Sequence, residues 1–356
     1  MITVTKPHIP RKKRFLHYVE RAFSQRWLTN NGPLVRELTE RLEEFLDVKN
    51  LLLVGNGTLG LLIALKLANC QKLFTTPFSF PATSSAPIWM NIGLVYGDIR
   101  PETFNLKPPT GDNSSEVDGL LATHVFGNPC ELTQMAESAR SWDVPLIYDA
   151  AHAFGVKVDG QSVLNFGDMS ILSFHATKIF HSIEGGAVVF KDSALLEAAK
   201  EMINFGFDGS GAVRSVGINA KMNELEAAMG LAMLDEVDEV LEAYRTRYEM
   251  YDDLLDGILI RQRIADNVEQ NYSYFPICFA DERSADYAIR ELGNQGVTPR
   301  KYFSPSLDTV AVYGSSQSCE VSQDVASRIV CLPMYTDLPE EDVRKICRVV
   351  NQSLEV

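Results

Sequence analysis

The chain has 356 residues, 46% hydrophobic and 22% charged, the balance of a globular protein with room for one large domain and a smaller one beside it. A net charge of −14 without a long basic stripe argues against a nucleic-acid partner. Six scattered cysteines without CxxC spacing, no signal-type apolar N-terminus and no run of 18 apolar residues predict a cytoplasmic protein with reduced thiols, no metal site and no membrane span.

In chain order, the basic run Arg11-Lys12-Lys13-Arg14 reads as a solvated part of an N-terminal segment, residues 1–32. A helix is predicted over residues 34–46, where Leu34, Leu38, Leu42, Phe45 and Leu46 recur at spacings of three and four. Short apolar runs at 51–54, 73–75, 94–96, 120–122, 146–148, 169–174 and 187–190 read as buried strands separated by helical patterns. That alternation predicts a mainly parallel sheet covered by helices on both faces, within a large domain spanning residues 33–230. Residues 112–116 read as a polar loop. Residues 223–255 read as one long helix leading into a smaller α+β domain, residues 231–356. Its strand signals lie at 272–279 and 330–333, and its amphipathic helices at 285–295 and 340–353.

Ligands on such sheets bind outside the carboxyl ends of the strands, and the chemistry-bearing residues gather there. Gly55-Asn56-Gly57-Thr58 follows a strand and opens a helix, so its amides and the Thr58 hydroxyl suit a phosphate, or form an ordinary turn capped by the threonine. Asp149 ends an apolar strand; it suits a protonated pyridine nitrogen or a helix N-cap. His152 suits packing on that ring or in the core, and Phe80 suits stacking on the ring face or plain core packing. Ser173 and Lys178 follow another strand, with Glu184-Gly185-Gly186 beyond. In this setting the lysine suits a Schiff base to pyridoxal phosphate, the serine facing the phosphate and Asp149 keeping the ring an electron sink.

Taken together, these segments resemble the DegT/DnrJ/StrS sugar aminotransferases of the aspartate-aminotransferase fold type, from Leu28-Thr29-Asn30-Asn31-Gly32-Pro33 to Leu332-Pro333-Met334. The resemblance implies an α/β fold with a mainly parallel seven-stranded sheet in the large, cofactor-binding domain, a small α+β C-terminal domain joined by a long helix, and an N-terminal segment packed near the small domain. It implies pyridoxal 5'-phosphate as cofactor, with Gly57, Thr58 and Ser173 at the phosphate, Phe80 on the ring, Asp149 at the ring nitrogen, His152 near the ring hydroxyl and Lys178 as the Schiff-base lysine. Gly217-Ile218-Asn219-Ala220-Lys221-Met222-Asn223-Glu224 resembles the segment that reaches into the neighbouring subunit's site, Asn219 contacting the phosphate there, which implies a homodimer with shared active sites.

Arg300-Lys301-Tyr302-Phe303-Ser304-Pro305 resembles a motif bordering the substrate in nucleotide-sugar members, making Arg300, Lys301, Tyr302 and Lys221 candidate substrate contacts. The chain departs from the family pattern at His181-Ser182-Ile183, where glycine is common, and at Lys221, where arginine is common. The implied activity is transfer of an amino group from L-glutamate to a nucleotide-linked ketosugar, with dTDP-4-keto-6-deoxyglucose, aminated at C4, as the preferred substrate, for surface polysaccharide such as lipopolysaccharide O-antigen. A 3-keto sugar, or a non-catalytic binding protein on the same fold, stays open. Lys178 and the scattered cysteines disfavour the family's sugar dehydratases.

Overall fold

The computed structural model describes residues 1–111, 116–255, 257, 259–314 and 317–354; most of the expected polar loop at 112–116 lies outside them. Seven strands form the principal sheet: β1 (Leu51–Val54), β2 (Lys72–Thr75), β3 (Gly93–Tyr96), β4 (Gly119–Thr123), β5 (Leu146–Asp149), β6 (Met169–Ser173) and β7 (Gly186–Phe190). Their order across the sheet is β1-β7-β6-β5-β4-β2-β3. β7 runs antiparallel to both of its neighbours, β1 and β6, and the other pairs are parallel. The strands are short and mostly apolar because helices cover both faces, leaving little wet face to alternate toward.

A second, antiparallel sheet joins Ile260–Arg261, Phe275–Cys278 and Ile329–Leu332, with Glu282–Asn294, Glu320–Arg328 and Glu340–Ser353 as its helices. The chain start, Ile2–Thr3, pairs in parallel with Val297–Thr298. The expected boundary after residue 230 falls inside the helix Glu224–Leu234, which packs in the same apolar cluster as Phe275, Val330 and Ile346. Among the described residues, no helix is long and apolar enough to cross a membrane.

One expectation is corrected. Residues 223–255 are not one helix but two, Glu224–Leu234 and Val237–Leu254. The break falls at two acids with structural partners: Asp235 takes Arg41 at 2.9 Å and the Tyr18 hydroxyl, while buried Glu236 accepts from the Arg11 amide at 3.1 Å and faces Arg14 at 3.5 Å. The run Arg11-Lys12-Lys13-Arg14 opens a helix, Lys12–Gln25; Arg11, Lys12 and Lys13 are exposed, as the solvated reading expects, while Arg11 and Arg14 also come within 3.5 Å of Glu236.

The helix Pro33–Leu46 lies under this junction, with Leu34, Leu38, Leu42 and Leu46 almost fully buried and Phe45 stacked at 5.6 Å on Phe154. Proline at its first position suits its start, yet its first amides need acceptors. Buried Glu224 provides them, accepting from Leu34 N–H at 2.8 Å and Val35 N–H at 3.1 Å. Gly32 makes room, since a Cβ there would stand 2.5 Å from the Glu224 carboxyl carbon. One side chain thus caps a helix 190 residues away in sequence. Glu224→Ala is expected to lower unfolding stability by roughly 2–3 kcal/mol, and Glu224→Gln, which keeps one acceptor oxygen, by about half of that. Urea unfolding of the two variants beside wild type measures this, and unchanged midpoints would show that the cap contributes nothing.

Candidate active site

Neighbouring strands β5 and β6 end on one edge of the sheet, and this sets Asp149 and the loop from Ser173 to Lys178 side by side. Asp149 is 5% exposed. Its Oδ2 accepts from the Thr83 hydroxyl at 2.8 Å and its Oδ1 from the Ala151 N–H at 3.1 Å. Thr83 is itself held by Ser79 at 2.7 Å, and Ser79 by Thr123 at 3.1 Å, a chain of buried hydroxyls that fixes the carboxylate. Residues 150–152 turn without forming a helix, so the N-cap reading of Asp149 is excluded. Burial raises the carboxyl's pKa, against the two hydrogen bonds and the charge of Lys178.

Burial also pushes the Lys178 amine down to about 8, while Asp149 pulls the other way. Its Nζ donates to the Tyr274 hydroxyl at 3.3 Å. A lysine at that value is a usable nucleophile and proton carrier near neutral pH. His152 lies in an aromatic stack, nearly parallel to Phe303 at 5.7 Å and Phe126 at 6.3 Å. Its Nδ1 accepts from the Phe126 N–H at 3.2 Å, and burial holds it well below its ordinary pKa, so the ring is neutral.

The turn after β1 opens the helix Gly57–Ala68. Its cap is Asn56, whose side chain accepts from Leu59 N–H at 2.9 Å, rather than the threonine of the sequence alternative. Thr58 is left exposed in the first turn. A Cβ on Gly57 would stand 3.1 Å from Ser173 Cβ, and one on Gly186 would stand 2.8 Å from the Gly57 nitrogen, so glycines let the helix start press onto the ends of β6 and β7. The structure therefore brings Gly57 and Ser173 together, with helix amides lacking intrahelical partners beside a serine hydroxyl.

Phe80 is 56% exposed, which rules out core packing. It lines a groove of about 520 Å³ with Pro81, Arg300, Tyr302, Phe303 and Tyr313. Arg300 rests over the Tyr302 ring at 5.9 Å. Lys301 lines the same groove, with its Nζ engaged by Asp286 at 2.7 Å and the Ser327 carbonyl at 2.6 Å. Lys221 is not brought to Lys178 within the protomer. Its Nζ donates to Asn204 at 2.6 Å, and it lines a separate cavity with Arg36, Thr39 and Glu43. Asn219 is exposed, and it is not among the residues around Lys178 in its own protomer.

Sequence reasoning missed Thr83, Tyr274, Phe126 and Phe303. Thr83 closes a segment, 77–83, recognisable only as a strand-end loop, and a threonine there carries no signal of the acid it will hold. Tyr274 lies 96 residues beyond Lys178, immediately before a strand of the other sheet.

The set fits a cofactor with a basic ring nitrogen, a carbonyl carbon and a phosphate: a buried, held carboxylate, a lysine of lowered pKa and a helix N-terminus with a serine share one edge. Comparison with known proteins agrees. The DegT/DnrJ/EryC1/StrS aminotransferase family model matches residues 10–351. The chain is 34% identical to a dTDP-4-amino-4,6-dideoxy-D-glucose transaminase of Shigella dysenteriae, over 99% of this chain and 98% of that protein. An Escherichia coli protein of the same description is also 34% identical, over 98% of each. The crystal structure of DesI with its TDP-sugar product superposes with a TM-score of 0.92 at 31% identity, covering 99% of this chain and 94% of that one. The chain belongs to the DegT/DnrJ/EryC1/StrS aminotransferase family and is a pyridoxal-phosphate-dependent aminotransferase.

Proposed function

We propose that the protein transfers an amino group from L-glutamate to C4 of dTDP-4-keto-6-deoxyglucose, working as a homodimer with shared active sites. The observation carrying this reading is the pairing of a held, buried Asp149 with a Lys178 amine near 8 on one sheet edge. It occurs in a chain similar over its full length to two dTDP-sugar transaminases.

When bound, pyridoxal phosphate supplies the electron sink that makes the α-carbon of an amine donor acidic. Asp149 holds positive charge at the ring nitrogen, and Thr83 and the Ala151 amide keep the carboxylate aimed. Lys178 Nζ would take up the proton lost by the donor's α-carbon and hold it for return to carbon. His152, neutral and stacked, packs without competing for that proton. The helix start at Gly57, with Thr58 and Ser173, anchors the phosphate. Phe80 offers its exposed face to the ring, and Arg300 with Tyr302 borders the sugar nucleotide, where a cation offsets diphosphate charge on an otherwise acidic protein.

A dimer is supported by the segment carrying Asn219. Phe205, Val213, Val216 and Ile218 stand exposed there, an apolar face that a monomer would leave in water.

Three outcomes test the reading. Lys178→Ala is expected to lose at least about 10³-fold in transamination of a dTDP-ketosugar with glutamate; retained turnover would refute the assignment. The rate at which cofactor-free protein captures pyridoxal phosphate, followed by absorbance, should rise with pH and level off above about 8. Only the neutral amine attacks a carbonyl, and it dominates above its pKa; a flat profile from pH 6 to pH 9 would contradict the lowered value. Finally, inactive Lys178→Ala and Asn219→Asp chains, unfolded and refolded together, should recover about a quarter of wild-type activity. Half of the dimers are then mixed, each with one sound site. Sites confined to single protomers would recover none.

A further inference from the structure

Tyr274 touches the working amine and has no part in the chemistry so far. It precedes the small-sheet strand Phe275–Cys278, yet it is clamped against the large sheet's edge. The Asn271 amide donates to the carbonyls of His152 and Phe154, both at 2.9 Å, and its Oδ1 accepts from Ser273 N–H at 3.1 Å. The Tyr274 ring sits 4.6 Å from His152 and 5.4 Å from Phe126. Its hydroxyl receives the hydrogen bond that Lys178 Nζ donates at 3.3 Å.

We infer that Tyr274 is a positioning residue that holds the Lys178 amine in one place through both of its protonation states. An ammonium has only protons to give, whereas a neutral amine also has a lone pair to fill; a phenol serves both, accepting in the first state and donating in the second. The titratable groups that face the amine are Asp149, His152 and Tyr274. An ionised carboxylate only accepts, and His152 Nδ1 is engaged by the Phe126 amide. Tyr274 can take both roles because burial keeps its hydroxyl protonated far above the range in which Lys178 titrates. A free amine that must accept a proton from one carbon and return it to another gains from such a partner, because misplacement of a reacting group is costly.

This inference rests on Lys178 being the working amine, and its test is separable from that reading. In full-length, cofactor-free protein, acetylation of Lys178 by acetic anhydride is followed by mass spectrometry across pH, for wild type and Tyr274→Phe. The substitution keeps the ring and its contacts and removes only the hydroxyl. Because a bond from the charged amine is stronger than one to the neutral amine, its loss is expected to lower the labelling midpoint by about half a pH unit or more. In loaded enzyme, kcat should fall about tenfold to a hundredfold with KM for the ketosugar nearly unchanged. A midpoint that stays or rises, or a kcat within about twofold of wild type, overturns the inference. A wild type that fails to transaminate would sink the proposed function while leaving the labelling comparison valid.

Discussion

The constraint on which this architecture turns is the burial of two groups that would each prefer water, the Asp149 carboxylate and the Lys178 amine. Each favours the charged form of the other, yet burial wins at both: the acid's pKa is raised and the amine's lowered. Their mutual attraction is therefore not a sufficient reason to keep them inside, and a buried pair of this kind is weak as a stabilising device. The fold supplies the remainder through neutral partners, Thr83, the Ala151 amide and Tyr274. Such partners hold the groups without quenching them, which leaves the acid able to meet a ring nitrogen and the amine able to titrate near neutral pH.

Much of the surrounding backbone is arranged to make that edge close and firm. Strand β7 returns antiparallel beside β6, and Gly185 and Gly186 allow the return: a Cβ on Gly185 would lie 2.0 Å from Ser182 Oγ, and one on Gly186 would meet the start of the phosphate-side helix. The loop from Lys178 to this turn is where the chain departs from its family's glycine pattern, and the side chains explain what stands there instead. His181 is buried, its Nε2 bonds the His8 carbonyl at 2.7 Å, and its Nδ1 accepts from Ile183 N–H at 3.3 Å. Ser182 N–H donates to the Phe174 carbonyl at 2.9 Å, and its hydroxyl to Glu184 O at 2.6 Å. The loop is thus fastened by side chains to the N-terminal segment, whose Arg11 and Arg14 meet Glu236 at the break between two helices.

What could be read in the sequence follows from how locally each feature is determined. All seven principal strands were legible because burial on both faces favours short, mostly apolar runs, and the helix Pro33–Leu46 because one face is leucine at fixed spacing. Asp149, Ser173 and Lys178 were legible as strand-end residues, since parallel sheets place loops of one kind on one edge. The break at Asp235 and Glu236 was not legible, because helical periodicity continues across it and the partners that favour it come from residues 11–41. The Lys301 partner was hidden for a related reason: Asp286, which engages its amine, sits on a helix of the small sheet. Thr83 and Tyr274 became visible only when chain segments far apart in sequence met at the amine and the acid.

The same geometry separates two tasks. The groups proposed to act on the cofactor are carried by the ends of β5 and β6 and by the start of the helix Gly57–Ala68, all fixed by the large sheet. The groove beside them is walled on one side by Phe80 and Pro81 and on the other by residues 300–305, Val310 and Tyr313 of the C-terminal part. If the groove takes the substrate as proposed, substitutions there change the shape and charge it meets without touching Asp149 or Lys178. With a net charge of −14 across the chain, an anionic substrate meets repulsion at long range and needs a local cation at the groove. Lys221 lines another cavity and the Lys301 amine is engaged by Asp286, so the exposed Arg300 is the cation we propose for that role within the groove. A fold built this way can keep one amine chemistry while its substrate is reset by a few side chains on a different part of the chain.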